Sequence, residues 1–357
     1  TITIIIAHVA NPLLKTPIVH LSRTCQQMKT ATDKIKTVHE RNHARIKQLC
    51  SKAQTTHTNT QLTDFRIHNL IQIPSILVLP ECGFNYTDCQ TLTLLIHNNT
   101  LRQLVLLILD CNDIGDDGRL VLTQTWEDTD ALTRTPHTRA PLLTQLSINK
   151  NHITDIGLTA IMKAKANGTL PALTDLHLAS NLITADGLQS LKTSQQLPPT
   201  KPVRRLQLDD NLLYDDGMMS LGEIGTLTYL IDLKAISLTN NDIREDGITH
   251  FANSLTMGAF PTLQELLLDR NDIGDIGISM IAGSCDLNAL YHLETLSLDN
   301  NSITDSGIES LATLTLAGAL PKLLILSLRS NLVTDSGASR LTDAFAAGAL
   351  PYMTNDG

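Results

Sequence analysis

Three groupings of side chains in this 357-residue sequence have types and spacings that could do chemistry. Asp113-Ile-Gly-Asp-Asp-Gly118 gathers carboxylates between glycines as a calcium loop would, but it lacks the ligand spacing and closing glutamate of an EF-hand. His39 and His43 stand four residues apart, so a helix would place both imidazoles on one face, where they could clamp a transition metal. No third ligand accompanies them, and a pair of surface histidines is expected. The six cysteines, at 25, 50, 82, 89, 111 and 285, form no CxxC pair. Scattered in a long chain, they read as reduced intracellular thiols. No nucleophile–base–acid set, paired-acid site or phosphate-cradling GxxxxGK[ST] loop occurs. The expectation is a protein that is not an enzyme and uses neither cofactor nor metal.

The elements that position these residues are repeats. Asparagine recurs at 112, 151, 181, 211, 241, 271, 301 and 331, and the last seven are separated by six consecutive gaps of 30 residues. Each sits in a frame close to LxxLxLxxNxI(T/G)DxG, as in Leu293 to Gly307 and, with Ala185 in the aspartate place, Leu173 to Gly187, and the calcium-like acidic run is one more copy. A period this regular is the mark of stacked supersecondary units. One period before Asn112 stands Cys82, giving a weaker first repeat and about nine in all; a tenth begins at Pro351-Tyr352-Met353.

Within a repeat, LxL alternates as a short strand does, with leucines inward and the residues between them outward. The asparagine amide can satisfy backbone groups of neighbouring turns, so Cys82, Asn112, Asn151, Asn181, Asn211, Asn241, Asn271, Asn301 and Asn331 are expected to form a structural ladder. In the following Thr-Asp-x-Gly, as at Thr154 to Gly157, Thr or Asp can cap a helix. Apolar residues at helical spacing follow, and Gly-x-apolar-Pro ends the unit at Gly258–Pro261 and Gly318–Pro321. One such unit cannot bury its leucines, so the repeats must stack. The fold class is α/β: a solenoid with parallel strands on a concave face and helices on the convex one.

Composition agrees. By sequence count there are 61 leucines and 11 aromatic residues, as uniform aliphatic layers require. With so few aromatics and a net charge of −9, the chain is a poor nucleic-acid binder. No apolar run reaches the ~18–20 residues of a membrane span. Ile2 to Leu14, interrupted by His8, Asn11 and Pro12 and without a basic leader, is a poor signal peptide. Residues 1–70 form a basic segment with net charge +7, against −16 for the repeat domain of residues 71–357. Within the segment, Thr24 and Gln27 fit a capping box, and Met28, Ala31, Ile35 and Val38 follow helical spacing. A basic amphipathic helix is expected over 24–53.

The frame resembles leucine-rich repeats of the ribonuclease-inhibitor-like subfamily, over residues 71–357. The resemblance implies a horseshoe that binds a protein partner through its concave strands and adjacent loops. Relatives of that kind include ribonuclease inhibitors, GTPase-activating proteins for the small GTPase Ran, innate immune sensors and ciliary scaffold subunits. A non-enzymatic intracellular scaffold follows, cytoplasmic or within a ciliary or other large assembly, with a GTPase-activating protein like the Ran regulator as the alternative.

The outward positions flanking the strands are the candidate partner contacts: Asp110, Asn149, Lys150, Arg205, Asp209, Asp210, Asp269, Arg270, Asp299 and Arg329. Substituting Asp209, Asp269 and Asp299 is expected to weaken binding with little effect on thermal stability. An insertion near 123–140 holds Trp126, the sole tryptophan and a candidate anchor. Val105, Leu106 and Ile108, and at the other end Leu324 and Ile325, leave apolar patches on the outward face that a partner or another segment could cover.

Overall fold

The computed structural model describes residues 76–78, 80–81, 83, 88–89, 103–116, 142–166, 170–193, 201–227, 230–284 and 289–349. The basic segment with its expected helix at 24–53, Cys82 and the 123–140 insertion with Trp126 lie outside the described residues.

Among the described residues, nine three-residue strands form one parallel sheet in sequence order: β1 Ile76–Val78, β2 Leu106–Ile108, β3 Gln145–Ser147, β4 Asp175–His177, β5 Arg205–Gln207, β6 Ala235–Ser237, β7 Glu265–Leu267, β8 Thr295–Ser297 and β9 Ile325–Ser327. The register follows the 30-residue period, pairing Leu176 with Leu206 and Leu266 with Leu296. Parallel neighbours need a crossover. From β3 onward it is a helix: α1 Asp155–Ala166, α2 Ala185–Ser190, α3 Tyr214–Ile224, α4 Glu245–Thr256, α5 Gly274–Ser284, α6 Asp305–Leu316 and α7 Asp335–Ala346. This is the expected leucine-rich repeat solenoid.

The leucines of the frame fill the space between the two layers. Leu173, Leu176, Leu178 and Ile183 are all 0 % exposed, and a single core cluster runs from Leu77 to Leu323. Each such side chain contributes roughly 1.5–3 kcal/mol by leaving water, and only the repeats on either side provide that environment.

The asparagines stitch consecutive turns together. Asn181 Nδ2 donates to the carbonyls of Leu178 in its own repeat (2.9 Å) and Ile148 in the one before (3.1 Å). Its Oδ1 accepts the backbone N–H groups of Asn151 and Ile153, both at 3.0 Å. Asn271 and Asn331 repeat this pattern, and Asn211 spans from Leu178 O to Ile183 N. Asn112 binds Leu109 O and Asp110 O, Asn151 reaches back to Leu109 O, Asn241 to Leu208 O and Asn301 to Leu268 O. Removing one amide strands several buried backbone groups. Asn211→Ala should therefore lower stability by about 1–3 kcal/mol, read as a shift in the denaturation midpoint.

A second stitch lies at the helix starts. Thr184, Thr304 and Thr334 each cap their own helix by accepting the N–H two residues on. The aspartate that follows threonine or glycine in the motif serves the next repeat instead. Asp155 Oδ1 accepts Thr184 N and its Oδ2 accepts Thr184 Oγ1, both at 2.7 Å. Asp275 holds Thr304, Asp305 holds Thr334 and Asp116 holds Thr154 in the same way. The motif glycine is a matter of space: a Cβ on Gly187 would lie 2.4 Å from Asp155 Oδ1. The Thr334 hydrogen bonds hold the Asp305 carboxyl below its ordinary value of 3.8. Its stabilising effect is therefore present above that value and is lost as the pH falls through the lower folded one.

Candidate functional site

The concave face is built from the outward residues of the nine strands and the turn that follows each. Two rows lie past the strand ends. The first holds Asp110, Asn149, Asp209, Asp269, Asp299 and Arg329; the second holds Lys150, Asp210 and Arg270. The second row has left-handed backbone throughout, with φ from +51° to +57° between Glu81 and Ser330. This conformation is uncommon for non-glycine residues. Here it turns the chain so that the next residue, the asparagine, points inward.

The first-row carboxylates are not free surface charges. Asp269 Oδ1 accepts Ser297 Oγ at 2.5 Å and Asp299 N at 2.8 Å. Asp299 Oδ1 accepts Ser327 Oγ (2.6 Å) and Arg329 N (2.7 Å), and Asp110 accepts Ser147 Oγ and Asn149 N. Asp209, 9 % exposed, binds Ser237 Oγ and Thr239 N. Asn149 takes the same part with Ala179 N, at 2.6 Å. These groups form a third inter-repeat ladder, so the expectation that their substitution leaves stability unchanged gives way. Asp269→Ala should cost about 1–3 kcal/mol, because a hydroxyl and an N–H of the next repeat lose their acceptor. Matched denaturation curves check it.

The strand residues between the leucines also belong to the face: besides Arg205, an expected contact, they include His177 and Gln207, which the outward charges alone do not single out. His177 Nδ1 lies 2.7 Å from Gln207 Oε1 and its Nε2 lies 3.4 Å from Gln145 Nε2, while Gln207 Nε2 donates to Asp209 Oδ2 at 2.7 Å. Arg205 bridges a whole repeat, meeting Glu265 at 3.3 Å and Asp175 at 3.8 Å; Ala235 of β6 is small enough to pass beneath it. Arg205 is half-exposed, so this pairing contributes little to stability. At the β9 end the face turns apolar, with Leu324 44 % and Ile325 57 % exposed where the repeats from β3 to β8 present mostly polar or charged residues. Val105 is 36 % exposed at the β2 end.

Among the described residues, no group of three or more His, Cys, Asp or Glu could hold a metal ion, and no helix is long and apolar enough to cross a membrane. Cys89 is buried, and desolvation with the charge of Asp88 pushes its thiol up to about 12. A thiol so shifted is inert at neutral pH.

Residues 140–162, 170–192, 261–282 and 291–312 match the family model described as Leucine Rich repeat. Among solved structures, the chain is similar to an internalin (inlF) from Listeria monocytogenes str. 4b F2365. Identity there is 19 % over 72 % of this chain and 69 % of that one, with a TM-score of 0.38. It is also similar to a chain of the mouse RP105/MD-1 complex, at 19 % identity over 72 % of this chain and 39 % of that one, again with a TM-score of 0.38. Among curated proteins none matches.

Proposed function

We propose that this chain is a non-enzymatic scaffold that holds a protein partner against its concave strand face and the turns beside it. The observation behind this reading is the division of labour on that face. The three ladders use up the asparagines, the first-row carboxylates and the motif aspartates. Arg205, Lys150, Asp210, Arg270 and Arg329 stay exposed outside them, beside the apolar end formed by Leu324 and Ile325. A polar, mixed-charge surface with an apolar margin suits a protein partner better than a small molecule. A place in the ribonuclease-inhibitor-like subfamily, in an intracellular or ciliary assembly, is part of the same proposal. It is supported by the 30-residue period and by convex helices of up to 12 residues. Trp126 remains a proposed second anchor. The GTPase-activating alternative rests on fold analogy alone. Stimulated GTP hydrolysis by a small GTPase would be needed to revive it.

The full chain, used as bait, should retain its partner, and the triple variant Lys150→Glu, Arg270→Glu, Arg329→Glu should lose it. The variant's melting temperature should stay close to that of the parent, since surface substitutions outside the ladders change stability by only about 0.5 kcal/mol. Retained binding by a folded triple variant would move the site off this face.

A further inference from the structure

The solenoid edge where strands turn into helices has an apolar break in repeats four and five. In repeats three to seven the residue after the ladder asparagine is His152, Leu182, Leu212, Asp242 and Asp272. Leu182 and Leu212 are 44 % and 39 % exposed, and they occupy successive rungs, paired with Thr154 and Thr184 in parallel bridges. Beside them stands Tyr214, 48 % exposed with φ +52°.

Tyr214 occupies a place held elsewhere by the clamped threonines 154, 184, 304 and 334, by Arg244, whose N–H is clamped by Asp215, or by Gly115 and Gly274 in left-handed backbone. Its clamp is missing because the preceding repeat has Ala185 where most others have aspartate. Its N–H goes instead to Asn241 O at 3.0 Å. Left-handed backbone at a bulky residue costs free energy and persists where the surroundings impose it, often at functional sites. The sequence thus gives up a stabilising clamp and accepts strain while displaying an aromatic ring beside two exposed leucines. Exposed acids rim the patch: Asp186, Asp210, Asp216 and Asp242, with Arg244 beyond.

We propose that the Leu182–Leu212–Tyr214 patch is the docking surface for the chain's own basic segment, residues 24–53. That segment has seven Lys and Arg against Asp33 and Glu40, with Met28, Ala31, Ile35 and Val38 at helical spacing. Its apolar stripe matches the patch and its charge matches the acidic rim. Residues 54–75 connect it to β1, and such a tether extends up to about 70 Å. Four strand spacings to β5 cover only about 20 Å. Docking here leaves the strand residues of the concave face free and shares only Asp210 with the proposed partner site, so the variants that test the one leave the other intact.

Hydrogen exchange on the full chain tests this. Residues 24–53 should exchange about tenfold more slowly in the parent than in Leu182→Lys/Leu212→Lys or in Tyr214→Gly, and the protection should weaken in high salt. Tyr214→Gly should keep or raise the melting temperature, because it relieves the strained φ; a residue with only a packing role would lower it. Rapid exchange of 24–53 in the parent, or equal protection in both variants, would overturn the proposal. Protection that grows with protein concentration would assign the patch to a second copy and overturn the intramolecular form.

Discussion

Replacing Leu208 by alanine is expected to lower the free energy of unfolding by about 2–5 kcal/mol. Leu208 is fully buried between the sheet and the helical layer in the middle of the stack. Its carbonyl is also a shared anchor, accepting the amides of Asn211 (3.0 Å) and Asn241 (2.9 Å). The backbone bonds survive the substitution, so the loss is the transfer and cavity cost of the isobutyl group. Neighbouring layers cannot close the gap, because their spacing is fixed by the strand register and by the ladders on either side. In a quasi-one-dimensional array a weak central interface also separates the repeats on each side of it. Denaturation should broaden or split as well as shift, and an unchanged midpoint would contradict the stacked-ladder account.

The second large effect has the opposite sign. Lys165, near the end of α1, is 0 % exposed, and among the described residues its Nζ meets the Leu170 carbonyl, at 3.4 Å. Burial first, and then the charge of Lys201, lower its ammonium from 10.5 to about 8. In the interval between those values the unfolded chain keeps a proton that the folded chain has released. Stability therefore rises as the pH increases through it, and the gain is absent below the folded value, where both states are charged. A shift of this size corresponds to about 3 kcal/mol. Lys165→Met, which keeps the volume without the charge, should stabilise the protein by about 2–3 kcal/mol at neutral pH and flatten the alkaline rise. Urea midpoints of parent and variant across this range would show it. A destabilised variant would mean that the ammonium has a stronger partner than Leu170.

Much of this architecture was legible because the stacking geometry repeats as the sequence does. Leucine at the strand positions, asparagine after them and glycine before proline each follow from one local requirement. The two aspartate ladders were harder, since each joins residues about 30 apart whose coupling a single repeat does not display. The signal was nonetheless present between repeats. Asp110, Asp209, Asp269 and Asp299 are each followed, in the next strand, by serine at 147, 237, 297 and 327. Where the first-row residue is Ala179 or Thr239, the next strand has Gln207 or Leu267 instead. Likewise, aspartate at 116, 155, 275 and 305 precedes a clamped threonine, whereas Ala185 and Glu245 precede Tyr214 and Gly274 in left-handed backbone. A list of outward charges does not show this, because a carboxylate's availability depends on its neighbour one repeat away. Arg205 is similar: its reach to Glu265 exists only because β6 presents Ala235 between them.

The central claim is that the concave face holds a protein partner. Cross-linking the partner complex of the full chain with a lysine-reactive reagent, followed by peptide mapping, tests it most directly. Lys150 and Lys234 lie on the strand side, Lys163 and Lys192 on the helical side. The account predicts partner cross-links concentrated at Lys150 and Lys234; cross-links confined to Lys163 and Lys192 would contradict it.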